Sequence, residues 1–202
     1  MAKTTAAAAV QASATKAPVT KPAIATNDVP YTGKIHEVLK YPAPVLARRA
    51  DEVTVFDAAL AKLVEEMFGS MYEAQGIGLA APQIGISKRI YIVDLSFKKE
   101  PAKKMVFINP EIVETDGHQM EEEGCLSLPD IREKVKRAAH VKVRAQNVTG
   151  EWFEVEGDEL LARALLHEFD HLNGVLFIDR ISRLKRELIL RRIRKLQKQG
   201  EW

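Results

Sequence analysis

The sequence predicts an α+β fold: antiparallel β-sheets packed around a central helix that carries an HExxH string, with an N-terminal and a C-terminal helix. Apolar residues recur at helical spacing in three places, near residues 56–71, 160–172 and 181–196. Between the first two lie several short strand-like runs bounded by Gly, Pro and Asn. A helix, then a block of strands, then two helices is the order of an α+β domain.

Taken in order, residues 1–30 are rich in Ala, Thr and Lys with scattered Pro and lack any aromatic residue. Such a composition cannot supply a core and is expected to be a disordered tail. An organelle transit peptide is the alternative for this acid-poor stretch, and the absence of arginine weighs against it. Residues 31–202 are expected to form a single catalytic domain. Pro42 and Pro44 keep their segment extended or turning. Thr54 with Asp57 reads as a capping box. Phe56, Leu60, Leu63, Val64, Met67 and Met71 then mark an amphipathic helix to about Ala74.

GIGLAAPQIGISK follows, from Gly76. It runs from a helix into a strand, RIYIVDL, which is the reverse of a dinucleotide fingerprint. It is either a loop whose backbone approaches a ligand or a tight connection. MVFINPEIVE reads as a further strand. Glu121, Glu122 and Glu123 read as a solvated acidic run, although Glu123 and Arg137 are candidates for a buried pair beside Cys125. VKVRAQNVTGEWFEVEG alternates and turns at Thr149-Gly150, as a β-hairpin does. Leu160, Leu161, Ala164, Leu165, Phe169 and Leu172 then form the apolar face of a helix, with Asp158 as its cap and Gly174 just past its end.

On that helix His167 and His171 are one turn apart on one face, with Glu168 beside the first. This spacing suits a divalent metal with a carboxylate poised to take a proton from bound water. A third ligand must come from elsewhere. Cys125, the single cysteine, is the natural candidate, and a thiolate with two imidazoles suits zinc or ferrous iron. His36, His118 and His140 are expected at the surface. One cysteine excludes an internal disulfide. The formal net charge of +2 is matched by Lys3, Lys16 and Lys21 against Asp28, so the remainder is neutral and bulk charge makes no case for nucleic acid. No apolar run reaches the roughly 18 residues of a membrane span.

GIGLAAPQ, EGCLS and HEFDH, in this order, resemble the three motifs of peptide deformylases, and YPAPVL and LFIDRIS resemble the family as well. Leu166 departs from the pattern, which has glutamine before the first histidine, and Gln75 stands where some members carry an acid. The resemblance implies removal of the formyl group from the N-terminal methionine of new proteins, through attack of a metal-bound hydroxide on the formyl carbon. It implies Cys125, His167 and His171 as ligands of one divalent ion, Fe2+ above Zn2+, Ni2+ or Co2+. Glu168 becomes the general base and acid, Gln83 and the Leu126 N–H the oxyanion donors, and Ile77, Gly78 and Arg132 lining of the substrate groove. It implies N-formylmethionyl nascent peptides as substrates and a bacterial cytoplasmic location, with organellar import second.

The C-terminal segment carries nine basic residues between Arg180 and Lys198 against Glu187 alone, a local charge of +8. Ile181, Leu184, Leu188, Ile189, Ile193 and Leu196 are expected to form one docked apolar face. The resemblance to ribosome-associated members of that family implies that this basic face contacts the ribosome near its exit tunnel, as a face that binds phosphates would. Two competing functions share the motif: a zinc endopeptidase, and a non-catalytic metal-stabilised module in which His118 or His140 closes the site.

Overall fold

The computed structural model describes residues 33–96 and 103–202, so the tail expected at residues 1–30 lies outside the described residues. Among the described residues three α-helices, α1 (Ala58–Glu73), α2 (Glu159–Leu172) and α3 (Arg183–Gln199), accompany seven strands. Strands β1 (Gly78–Ala80), β2 (Ile90–Val93), β3 (Met105–Asp116), β6 (His140–Gln146) and β7 (Trp152–Asp158) form one sheet, in the order β1-β2-β3-β6-β7. Strands β4 (Gln119–Cys125) and β5 (Leu128–Arg137) form a separate ribbon, and every pairing is antiparallel. This is the α+β arrangement that the residue pattern predicts.

The period-two alternation of β2 explains how the sheet sits between helices. Tyr91 and Val93 join Phe107, Val143 and Phe153 in a core against Leu165 and Leu172 of α2. Ile90 and Ile92 point the other way, against Val64, Met67, Phe68 and Met71 of α1. Each fully buried aliphatic side chain of this kind contributes about 1.5–3 kcal/mol. A third core joins Leu128, Ile131 and Val135 of β5 to Leu176, Phe177, Leu190 and Ile193.

Helix α1 starts three residues later than the proposed capping box. Asp57, not Thr54, is its N-cap, and the Asp57 carboxylate accepts the Leu60 N–H at 2.9 Å. A capping box needs Glu or Gln at its fourth position, which Asp57 does not provide. Asp158 does stand at the N-cap of α2, but its carboxylate is bonded to His140 Nδ1 at 2.8 Å instead of to the helix. Gly174 follows α2 at φ 71° and lies so close to Ala47 and Arg48 that a Cβ would meet their backbone at 2.7–2.8 Å.

Helix α3 corrects a further expectation. Leu190 and Ile193 are buried, whereas Leu184 and Leu188 are 71% and 54% exposed. At about 100° per residue, Leu184 lies on the side opposite Ile193, so the apolar residues of α3 occupy two faces. Leu160 is likewise 55% exposed, on the first turn of α2 at the rim of a cleft.

Candidate metal centre

Helix α2 is packed across the sheet, and its inner face brings His167 and His171 to the end of the β4–β5 ribbon. There the ladder shifts register between Gly124 and Cys125 and pairs Cys125 with Leu128. Leu126 and Ser127 are thereby the connection between the strands, and Cys125 faces the histidines. Cys125 Sγ is 3.3 Å from His171 Nε2, which is 3.2 Å from His167 Nε2.

The chemistry of these donors fits a divalent cation. Glu123 Oε1 lies 2.6 Å from His167 Nδ1. A carboxylate only accepts, so Nδ1 carries the proton and Nε2 turns a lone pair toward His171. Burial drives His171 well below its usual value, so its ring is neutral as well. Two lone pairs and a sulfur converging at this distance repel unless a cation lies between them. A tetrahedral site with bonds of about 2.0–2.3 Å has edges of roughly 3.3–3.8 Å, close to these two spacings, and all three donor atoms lie within 4.8 Å of one another. Burial works to lower His167, but its contacts with Cys125 and Glu123 prevail and raise it well above normal, so without a metal a second proton, on Nε2, takes the place of that cation. Among the described residues these three form the one such cluster, so three protein ligands leave coordination open. His118 is exposed and His140 is committed to Asp158, so neither closes the site.

Glu168 is 4% exposed, and its Oε2 has no hydrogen-bond partner among the described residues. Burial raises its carboxyl to about 7. The backbone of Gly78 passes directly over it: a Cβ there would lie 2.3 Å from Glu168 Oε1. That close approach explains one glycine of GIGLAAPQ; the stretch itself is a short edge strand, Gly78–Ala80, and a 3-10 turn, Ala81–Ile84, with Gly78 and Gln83 lining the cleft.

A network around Glu123 holds the first histidine. Arg137 donates to both its oxygens at 3.0 and 2.5 Å, and Arg163 Nη1 adds a bond of 2.8 Å. Burial works to raise the Glu123 carboxyl, but the bonds from His167 and Arg137 overcome it and hold the group well below the usual carboxylate range. Arg137 also reaches Asp170 at 2.5 Å, and Arg180 bonds Asp170 with both ends of its guanidinium. Glu123 is therefore not part of a solvated acidic run; its bonds to Arg137, Arg163 and His167 hold it inside, while Glu121, on the same face of the strand, and Glu122 stay exposed. Arg163 and Asp170 escaped the sequence reading, which counted Arg180 only among the bases of the C-terminal segment; the inward phase of residue 170 on α2 was the one hint. His36 also departs from expectation, with its ring 12% exposed against Glu66 at 2.9 Å.

A cleft of about 680 Å³ opens onto this centre. Ile77, Gly78, Gln83, Leu126, Arg132 and Leu160 line it beside Cys125, His167 and Glu168. Leu166 lies on the far side of α2, against the first core.

The profile of the family described as polypeptide deformylase matches residues 35–187. A peptide deformylase from Acidobacterium capsulatum is 66% identical over 168 residues, covering 83% of this chain and 99% of that one. One from Clostridium botulinum is 52% identical over 149 residues, covering 74% and 98%. The crystal structure of a peptide deformylase from Legionella pneumophila superposes with a TM-score of 0.77 at 42% identity, covering 83% and 98%.

Proposed function

The chain belongs to the polypeptide deformylase family, a metal-dependent hydrolase that removes the N-formyl group, and on that premise we propose how its residues divide the work. Cys125, His167 and His171 hold the metal. The observation that carries this is the convergence of one sulfur and two imidazole nitrogens beside a buried, unpartnered carboxylate. A divalent ion there supplies a Lewis acid that lowers the pKa of water toward about 7.

Glu168 takes the proton of the attacking water and returns it to the methionine nitrogen as that nitrogen leaves. Gly78, with no side chain, leaves the carboxylate room to do both. Gln83 Nε2 and the Leu126 N–H donate to the oxygen that becomes negative, each such donor typically contributing about 3 kcal/mol. Ile77, Gly78 and Arg132 bound the groove that receives the peptide. We take Fe2+ as the resident ion because a thiolate ligand suits it. The catalytic unit is residues 31–202. Its setting is the bacterial cytoplasm, in keeping with bacterial relatives and with the lack of any membrane-spanning helix among the described residues.

The test is anaerobic purification with metal analysis, followed by assay on formyl-Met-Ala-Ser and its acetylated analogue. Hydrolysis of the formyl peptide alone, in proportion to iron, is expected; activity independent of iron would remove that metal assignment. Cys125→Ser should weaken metal binding, because a neutral hydroxyl is a poor ligand where a thiolate was. Unchanged metal affinity in that variant would place the third ligand elsewhere.

The substrates are N-formylmethionyl nascent chains, and we assign the contact with the ribosome to α3. Lys185, Arg186 and Arg180 are tied to Glu133, Asp179 and Asp170. Arg183, Arg191, Arg192, Arg194, Lys195 and Lys198 carry no ion pair with described residues and are available for phosphate. Since Leu190 and Ile193 belong to the third core, truncating the helix would disturb the domain, and reversing surface charge is the cleaner probe. Arg191→Glu with Lys195→Glu should leave short-peptide turnover intact and weaken ribosome cosedimentation, with the wild-type interaction falling steeply with salt. Cosedimentation that is indifferent to both changes would leave α3 a structural strut.

A further inference from the structure

The role given to Gln83 depends on where its amide points. Gln83 is 1% exposed and sits in a 3-10 turn, Ala81–Ile84. Its Oε1 accepts the Ala80 N–H at 2.9 Å. Pinning the oxygen turns the NH2 group the other way, because an amide accepts at one end and donates at the other. Nε2 then lies 3.2 Å from Ser127 Oγ and 3.6 Å from Cys125 Sγ. One N–H is anchored on the fully buried Ser127, and the other faces the metal-ligand side of the cleft.

The backbone ties the same two residues together a second time. Leu39 donates its N–H to the Gln83 carbonyl at 2.7 Å, and Tyr41 donates to the Ser127 carbonyl at 2.9 Å. Residues 39–41 therefore span the distance between the turn that carries Gln83 and the connection that carries Ser127. The Tyr41 carbonyl in turn accepts the indole N–H of Trp202 at 2.5 Å, and both residues pack on the third core.

We propose that Ser127 is the positioning residue of Gln83, and that the segment 39–41, pinned by Trp202, keeps the pair at hydrogen-bonding distance. This rests on the reading of Gln83 as an oxyanion donor. Donors help the transition state only when they are already aimed at the developing charge, so loosening the aim lowers kcat and leaves substrate affinity alone.

The test uses the full-length, metal-loaded enzyme on formyl-Met-Ala-Ser. Ser127→Ala should lower kcat about 10-fold with KM within roughly twofold of wild type and metal stoichiometry unchanged. It should cost nothing further in a Gln83→Ala background, because the group it aims is gone. Ser127→Thr, which restores the hydroxyl, should recover most of the loss. Trp202→Phe keeps a ring and removes the N–H; a loss of about threefold is expected, absent in Gln83→Ala. Gln83→Ala with undiminished kcat overturns the oxyanion reading and this inference together. A slow Gln83→Ala to which the Ser127→Ala loss simply adds, or a Ser127→Ala loss that appears in KM or metal content, overturns the positioning role alone. If Ser127→Ala does not fold, the Trp202→Phe and Gln83→Ala cycle decides by the same rule. A Trp202→Phe enzyme as fast as wild type removes the pinning.

Discussion

Glu168→Ala should retain its metal and lose between about 10² and 10⁴ of its turnover, with more lost if the carboxylate also orients the water. The residue adjoins a ligand without belonging to the converging trio of Cys125, His167 and His171. Its Oε1 lies under the Gly78 backbone, and its Oε2 has no partner among the described residues, so it is held in place chiefly by packing. A buried carboxylate with a spare oxygen is costly, and a protein that keeps one at a metal centre is using it. Removing it strands no protein partner and leaves His167 bonded to Glu123. The loss should therefore fall on kcat, measured on a short formylated peptide beside metal analysis of the same sample. Metal content falling in step with activity would reassign Glu168 to metal binding.

Much of the architecture was legible because local rules governed it. The His167–His171 spacing, the turn at Thr149-Gly150 and the left-handed Gly174 each follow from a few adjacent residues. What was illegible depends on distance along the chain. Arg137 and Asp170 are 33 positions apart, and no periodicity announces that a strand residue and a helix residue will form an ion pair. Nothing in the sequence marks Ser127, and only the folded ribbon brings it to Gln83, 44 positions earlier. Leu184 and Leu188 are a different case. The helical wheel already places them across from Ile193, and counting apolar residues without counting their angles concealed it. The same arithmetic on residue 170 puts it near the face of Arg163 and His167, inward, where an aspartate needs a cationic partner.

Arg137→Met should produce the largest loss of stability outside the core. Arg137 is 5% exposed and joins the carboxylates of Glu123 and Asp170. Breaking a buried ion pair by removing one partner typically costs about 3–5 kcal/mol, because the other charge stays buried without compensation. Arg163 still reaches Glu123 and Arg180 still reaches Asp170, so the lower end, about 3 kcal/mol, is expected. That is a large share of the roughly 5–15 kcal/mol that keeps a domain folded.

The pH dependence has a definite sign. Glu123 is held below its unfolded value, so its contribution is fully present above about pH 4.3 and is lost as pH falls through the folded value. Without Arg137 that folded value climbs back toward normal, and acid unfolding should begin at higher pH. Glu123 also steadies His167 and stays bonded to it and to Arg163 in this variant, so metal affinity should fall by less than the roughly 10- to 100-fold that follows loss of a supporting carboxylate. Urea unfolding of the metal-free protein at neutral and acid pH, with a metal titration alongside, measures all three effects. The double variant Arg137→Met with Glu123→Gln should be less unstable than the two single losses added together, because neither member of the Arg137–Glu123 pair is then left charged without the other. An Arg137→Met protein within about 1 kcal/mol of wild type would mean that Arg163 and Arg180 alone balance the two acids.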